Sequence, residues 1–318
     1  MNESKPIQWA TKALNDLGIN ILKEPEVVRA MPWSTVTRFS TSSGDVYLKQ
    51  MSPQFAVEPL VLNLLLKDLS APVTKVIAHN SKSYYFLMLE AGACLRNKLK
   101  DNYDTSLVCH ILKSYAQIQL NAIAKQTELL ALGVKDWRLE KLPALYINLL
   151  MQEDLLFADG LSDEDIVKLK TLYGTFVDDC NKLDTFAIPH TIEHGDFHDN
   201  NVLISDNNVI TFNDWGDTNI THPFFSLGSW LDSASRHHHL NKKDPRYQIL
   251  CTAYLEAWRA YAPMDKLFEA FELSERLRPI LFCINFCRVT SCKGMEKLGQ
   301  FKGYISEALK EYISLMSH

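Results

Sequence analysis

The chain has no run of eighteen apolar residues, so no membrane-spanning helix is expected. Its first residues, Met1-Asn2-Glu3-Ser4-Lys5-Pro6, lack the apolar core of a secretory leader. None of the seven cysteines belongs to a C-x-x-C pair, and their odd number over 318 residues argues against a disulfide framework. Cys283 and Cys287 stand four apart in an apolar run, which suits core thiols on one helix face. A reducing, cytoplasmic compartment follows as the expectation. An excess of positive charge is also missing: 33 basic residues face 38 acidic ones, for a formal charge of −5. A nucleic-acid binder usually shows a basic face, so no such partner is expected. No internal repeat and no low-complexity segment occurs; His237-His238-His239 is the one unusual run.

What is present is ordinary globular composition, 47% hydrophobic and 22% charged, enough for one large or two medium domains. Between Leu95 and Asp217 acids outnumber bases about two to one. That imbalance reads either as a solvated acidic surface or as a cleft that attracts magnesium or a cationic substrate. Residues 7–17 have helical spacing and end at Gly18. Strand-like runs follow at Val27–Arg29, Thr35–Phe39 and Val46–Lys49, the last two joined by a turn at 41–45. A helix is expected over about 55–67, and strands over 74–78 and 84–89. Glu90-Ala91-Gly92-Ala93 then breaks the pattern as a candidate hinge. Beyond it the chain reads as helical: an amphipathic helix through Leu107 to Ile118, a capped helix from Ser162 running to about Leu183, and helices near 224–234, 245–262, 274–291 and 299–316.

The most informative stretch is His194-Gly195-Asp196-Phe197-His198-Asp199-Asn200-Asn201, followed by Asn213-Asp214-Trp215-Gly216-Asp217. Asp196, Asn201 and Asp214 are the groups that phosphoryl transfer needs, one to orient a hydroxyl and two oxygen ligands for magnesium. The β-rich runs Val202–Ser205 and Val209–Phe212 flank Asp206-Asn207-Asn208 and read as a hairpin. Such a hairpin brings Asn201 and Asp214, at its open ends, close together. The chain has no G-x-x-x-x-G-K-S/T motif, so a P-loop is excluded. The other kinase plan pairs a lysine on the third strand of a small lobe with a helix glutamate. Lys49 and Glu58 occupy those places.

The ordered set Lys49, Glu58, His194-Gly195-Asp196-x4-Asn201 and Asp214-Trp215-Gly216-Asp217, with the tail Thr221-His222-Pro223-Phe224-Phe225-Ser226-Leu227, resembles the aminoglycoside phosphotransferase and choline kinase-like family. The resemblance runs from about Val27 to Leu231. It implies an α+β, two-lobed protein-kinase-like fold with a β-rich nucleotide lobe at 1–91 and a mostly helical catalytic lobe at 92–318. It also implies ATP as donor, Mg2+ as cofactor and a small hydroxyl-bearing molecule as acceptor, such as an amino sugar, choline or a homoserine-like alcohol. Asp196 becomes the catalytic base or hydroxyl orienter, and Asn201 and Asp214 the magnesium ligands. Asp217 either touches the metal shell or orients its loop. His194 buttresses the catalytic loop, and His198 and Asp199 face the acceptor or are plain loop residues. The backbone from Met88 through Glu90 to Gly92 meets adenine.

The chain departs from the pattern in three places. The segment expected to cover the nucleotide, Met31-Pro32-Trp33-Ser34-Thr35, has no glycine, leaving the Ser34 and Thr35 hydroxyls for the phosphates. Pro59 puts Glu58 at the helix start, where pairing with Lys49 is expected to be weak. Asn213 stands where an apolar residue is expected and needs a partner if buried. The first two departures support an alternative, a catalytically weak pseudokinase or nucleotide-binding module. A protein kinase is disfavoured, because only a few residues separate Asp217 from Pro223-Phe224-Phe225 and leave no room for a peptide-docking segment. A zinc site at His222 and His237–His239 lacks ligand spacing. Trp33, Trp137, Trp215, Trp230 and Trp258 read as packing residues rather than a cage for a quaternary ammonium.

Overall fold

The computed structural model describes residues 4–293 and 299–317; Met1, Asn2 and Glu3 of the leader reading lie outside the described residues. Along the chain the elements are α1 (Lys5–Asp16), β1 (Glu26–Met31), β2 (Ser34–Thr41), β3 (Gly44–Met51), α2 (Glu58–Leu69), β4 (Val76–Asn80), β5 (Tyr85–Leu89) and β6 (Ala93–Cys94). Then come α3 (Leu95–Leu99), α4 (Thr105–Ala122), α5 (Gln126–Ala131), β7 (Lys135–Asp136), α6 (Leu142–Leu150), α7 (Glu153–Asp159), α8 (Asp163–Thr171) and α9 (Tyr173–Asp184). The rest are β8 (Thr191–Glu193), β9 (Val202–Ile204), β10 (Ile210–Phe212), β11 (Asn219–Thr221), α10 (Phe225–His238), α11 (Pro245–Leu255), α12 (Met264–Lys293) and α13 (Tyr304–Leu315). Two compact units result, Met1–Asn97 with Asn200–Gly216, and Lys98–Asp199 with Asp217–His318. No helix among the described residues is long and apolar enough to cross a membrane.

The first unit is built on a five-stranded antiparallel sheet in the order β1-β2-β3-β5-β4. Alternation along β2 and β3 buries Thr37, Phe39, Val46 and Leu48, the period a half-covered sheet requires. Ala10 and Leu14 of α1 close over Phe39, Val46, Leu48, Tyr85 and Leu87 as one apolar cluster. The interior strand β5 is buried from Tyr85 to Met88 without alternation. A second sheet, β10-β9-β6, completes this unit. Gly92 is the residue that admits β6 to it. Its φ is +114°, and an added Cβ would overlap the carbonyl of Ile204 in β9.

In the second unit helices surround a three-stranded sheet, β7-β11-β8. Helix α4 buries Val108, Ile111, Leu112, Tyr115, Ala116, Ile118 and Gln119 on one face. The helix start read at Ser162 is present, and a capping box closed by Asp165 forms it. The helical run after it is broken at Leu172, where α8 ends and α9 begins. Helix α12 starts at Met264, ten residues before the expected 274, because Leu267, Ala270 and Phe271 continue its buried face. It passes through Pro279 without ending.

The start of α13 is capped from a distant part of the chain. Gly303 has no side chain to cap it, and Asp159 at the end of α7 supplies the acceptor instead. Its Oδ1 accepts from the amide of Gly303 and its Oδ2 from that of Ser306, each at 2.8 Å. Both are charge-assisted and nearly buried. Asp159→Ala should cost about 2–4 kcal/mol, read as a lower urea midpoint with an unchanged m-value.

Candidate active site

The hairpin read between the two motifs is real. β9 and β10 pair antiparallel, with Phe212 opposite Val202, and one step further out the Asn213 amide donates to the Asn201 carbonyl at 2.9 Å. Asn201 and Asp214 are thus held at the open end of one ribbon. Asp214 has φ +65°, a conformation that costs a non-glycine residue about 1–3 kcal/mol and collects at functional sites. Asn213 finds the partner it needed, since Thr74 Oγ1 donates to its Oδ1 at 2.9 Å.

Lys49 of β3 and Glu58 of α2 join this end of the ribbon. The Lys49 ammonium lies 2.8 and 2.7 Å from the two Glu58 oxygens and 2.6 Å from Asp214 Oδ1. Lys49 and Glu58 are both buried. Burial alone would lower the ammonium's pKa, but the Asp214 and Glu58 carboxylates outweigh it and raise the pKa on balance. The weak pairing expected of Glu58 is not found. Glu58 is indeed the first residue of α2, yet the short turn Pro53–Phe55 returns the chain so that this residue meets Lys49. Gly216 leaves room beside the pair, since a Cβ there would come within 3.3 Å of Glu58 Oε2. Arg29 of β1 adds a more distant positive charge, 4.0 Å from Asp214 Oδ2.

The remaining residues expected around the nucleotide lie further along the same sheet. Met31 pairs with Ser34, so the expected loop 31–35 shrinks to a tight turn at Pro32-Trp33. Ser34 and Thr35 are strand residues, opposite Met51 and Gln50 of β3. Met88 pairs with Tyr47, two residues before Lys49 on β3. The Glu90 amide donates to the Asp45 carbonyl at 3.1 Å and is committed to the sheet.

The second unit holds Asp196. β8 delivers the chain into His194, whose amide donates to the Tyr115 hydroxyl at 3.1 Å. His194 Nδ1 in turn accepts from the Asp196 amide at 3.3 Å, the buttress expected of it. Gly195 has φ +82°, and an added Cβ would overlap the Asp217 carbonyl, so only glycine fits. The Asp196 carboxylate is exposed, with His198 Nε2 3.2 Å from Oδ1. Asp199 is different. It is buried, accepts from Ser233 Oγ at 2.9 Å and pairs with His238 Nε2 at 2.6 Å, which anchors the loop to α10. This also explains part of the histidine run. His237 and His238 form the last turn of α10, and His239 ends it in the left-handed conformation. No group of three His, Cys, Asp or Glu side chains that could hold a metal occurs among the described residues. Asn201 and Asp214, two hard oxygen donors, suit magnesium, which keeps several waters and takes other ligands from phosphate.

Sequence reasoning missed the support beneath Asp196. Glu193, the last residue of β8, is buried and accepts from Ser226 Oγ at 2.9 Å and Asn219 Nδ2 at 2.8 Å. Ser226 Oγ is also 2.8 Å from the Tyr115 hydroxyl, which closes a chain back to His194. Burial pushes the Glu193 carboxyl up despite these donors, and Asp196 adds to the rise. The available signal was an acid directly after the β-branched pair Thr191-Ile192 and before the motif. Arg288 and Asn285 of α12, which contact Asp217 and Gly195, gave no signal because they lie about 70 residues or more away in sequence.

Residues 108–265 match the model of the phosphotransferase enzyme family. No curated protein matches the chain in sequence. Among solved structures, the chain is similar to a choline kinase from Streptococcus pneumoniae, with a TM-score of 0.65 and 13% identity over 99% of this chain and 100% of that one. It is similar to an ethanolamine kinase from Plasmodium vivax, with a TM-score of 0.65 and 13% identity over 94% and 84% of the two chains. It is also similar to an aminoglycoside 2'-phosphotransferase in complex with GDP, with a TM-score of 0.59 and 14% identity over 98% and 99%. The α+β, kinase-like fold expected from the motifs is the fold it shares with them.

The buried Glu193 sets a pH dependence. Its folded-state pKa is raised, so the native state binds a proton more tightly than the unfolded chain does. That contribution is full below the unfolded pKa and is lost as pH rises through the folded value. Glu193→Gln should therefore cost about 1 kcal/mol or less near pH 4. It should gain on the wild type as pH rises to 8, as urea unfolding across that range would show.

Proposed function

We propose that this member of the phosphotransferase enzyme family moves the γ-phosphoryl group of ATP to a hydroxyl of a small molecule, with magnesium as cofactor. The observation that carries the reading is the buried Lys49 ammonium shared between Glu58 and Asp214. A cation kept charged in a dry site beside a strained, partly exposed carboxylate suits polyphosphate and a metal ion better than it suits stability alone.

With nucleotide bound, Lys49 turns its N–H donors to the α- and β-phosphates while Glu58 keeps it oriented. Asp214 and Asn201 are the residues that would hold magnesium, and the bound ion would supply charge neutralisation for the polyphosphate. Asp196 accepts a hydrogen bond from the acceptor hydroxyl. The new P–O bond forms as the bond to the β-phosphate oxygen breaks, and the hydroxyl proton passes to Asp196 late in transfer. Residues 1–91 serve as the nucleotide lobe and 92–318 as the catalytic and acceptor lobe. Ser34 and Thr35 line the phosphate side. Met88 and Glu90 flank the adenine edge; the Glu90 amide is taken by Asp45, so Ala91 and Gly92 offer the backbone groups for the base. Asp217 orients its loop. The acceptor class spans amino sugars, choline and homoserine-like alcohols. The seven free thiols suit a reducing, cytoplasmic compartment.

A nucleotide-binding module without turnover is the second reading. The glycine-free Pro32-Trp33 turn favours it, because that turn offers phosphates no bare backbone cradle. The two readings separate in one experiment, in which the protein is incubated with radiolabelled ATP, magnesium and a panel of amino sugars, choline, homoserine and related alcohols. We expect transfer to one class, and a thermal shift with ATP that requires magnesium. Binding without transfer to any acceptor, or to water, supports the second reading, and absence of nucleotide binding defeats both. Asp196→Ala should lower turnover about 100-fold or more while keeping most of the affinity for ATP.

A further inference from the structure

Helix α12 reaches the segment that carries Asp196 at two points. Asn285 Nδ2 donates to the carbonyl of Gly195, the residue directly before Asp196, at 3.1 Å. One turn further on, Arg288 Nη1 donates to the Asp217 carbonyl at 3.4 Å and lies 3.6 Å from Asp217 Oδ1. The same Nη1 donates to Asn285 Oδ1 at 3.1 Å, so the two side chains brace each other. The guanidinium is largely buried and lies over the Trp137 ring, 5.9 Å from its centroid. Ten residues before Arg288, α12 is itself fixed to α10. Arg278 holds Glu275 at 2.8 Å and Asp232 at 2.5 Å, in space that Gly228 leaves open by having no Cβ.

The backbones gripped at Gly195 and Asp217 already touch, since the Asp217 carbonyl fills the place of a Gly195 side chain. A glycine at positive φ is the freest point of this loop, and the peptide plane of its carbonyl sets the direction in which Asp196 leaves the chain. The geometry points to Asn285 and Arg288 as paired positioning residues. They fix the peptide before Asp196 and the facing Asp217 backbone, and so aim the Asp196 carboxylate at the acceptor hydroxyl. This rests on the role given to Asp196 above. It makes the aim of the catalytic loop depend on a helix about 90 residues downstream that need not touch nucleotide.

The test uses the whole chain and ATP with magnesium, with water as the acceptor, so that no acceptor identity is assumed. Asn285→Leu removes the donor at similar volume, and Arg288→Met keeps an aliphatic stem over Trp137. Each should lower kcat about 10- to 100-fold, with ATP affinity and Tm close to wild type. Amide hydrogen exchange over 194–199 should become about tenfold faster. Wild-type turnover and exchange in both variants overturn the inference. So does a loss of kcat matched by equal losses of ATP affinity and Tm, the mark of a general folding defect. Asp196→Asn run beside them tests the reading beneath: wild-type hydrolysis in that variant defeats the role of Asp196, whatever the α12 variants do. If hydrolysis by the wild type is too slow to measure, the exchange rates decide, and unchanged exchange overturns the inference.

Discussion

One ammonium group organises the first unit. Lys49 is buried, and a buried cation is tolerated only if it is paired and hydrogen-bonded. Two carboxylates meet that demand from opposite directions in the chain, Glu58 from the start of α2 and Asp214 from the end of the β9–β10 ribbon. The demand constrains what surrounds it. Pro53–Phe55 must return the chain so that Glu58 faces β3, Gly216 must leave Glu58 room, and Asp214 must accept a left-handed backbone. Asn201 is brought to the same place by the register of the ribbon. A geometry that only stabilised the fold could fill this space with apolar side chains at lower cost. What is kept instead is charge, beside two oxygen donors.

The second unit solves a different problem, the placement of an exposed carboxylate. Asp196 is aimed through its backbone. His194, Gly195 and Asp217 pack main chain against main chain, and beneath them a buried chain of polar groups runs from Glu193 through Ser226 and Tyr115 back to His194. The donors to Glu193 are neutral, and burial pushes its carboxyl toward the protonated form despite them. Asp199 serves the loop in the same sense, through Ser233 and His238. A loop gripped on several sides keeps its geometry when one side chain must stay exposed for chemistry.

Much of this was legible in the residues. The ribbon between Asn201 and Asp214 was readable because its strands are short, β-branched and joined by a polar turn, all of them local signals. Lys49 and Glu58 were readable from order alone: strand, lysine, helix, glutamate. The expected nucleotide loop at 31–35 was drawn too long, because Met31 and Ser34 pair across a two-residue turn that composition does not announce. The α8–α9 run was drawn as one helix, since helical spacing continues across the break at Leu172 and the adjacent Gly174 lies inside α9 rather than between the two helices. Asp199 read as facing the acceptor or as a plain loop residue, because its partners, Ser233 and His238, lie 34 and 39 residues away.

The sequence by itself carried the motif set whose family resemblance implied the class of fold and the expectation of phosphoryl transfer. Hydrophobic period, turn residues and the spacing of three acids and amides act over a few residues, and such patterns survive without knowledge of what packs where. Tertiary structure decided which charges are buried and which are paired. It turned Glu58 from a weak partner into a close one, turned Asp199 inward, and revealed Glu193, Asn285 and Arg288. Those outcomes depend on contacts between residues far apart in the chain, and on the energetic cost of burying a polar group, which is defined only once the surroundings exist.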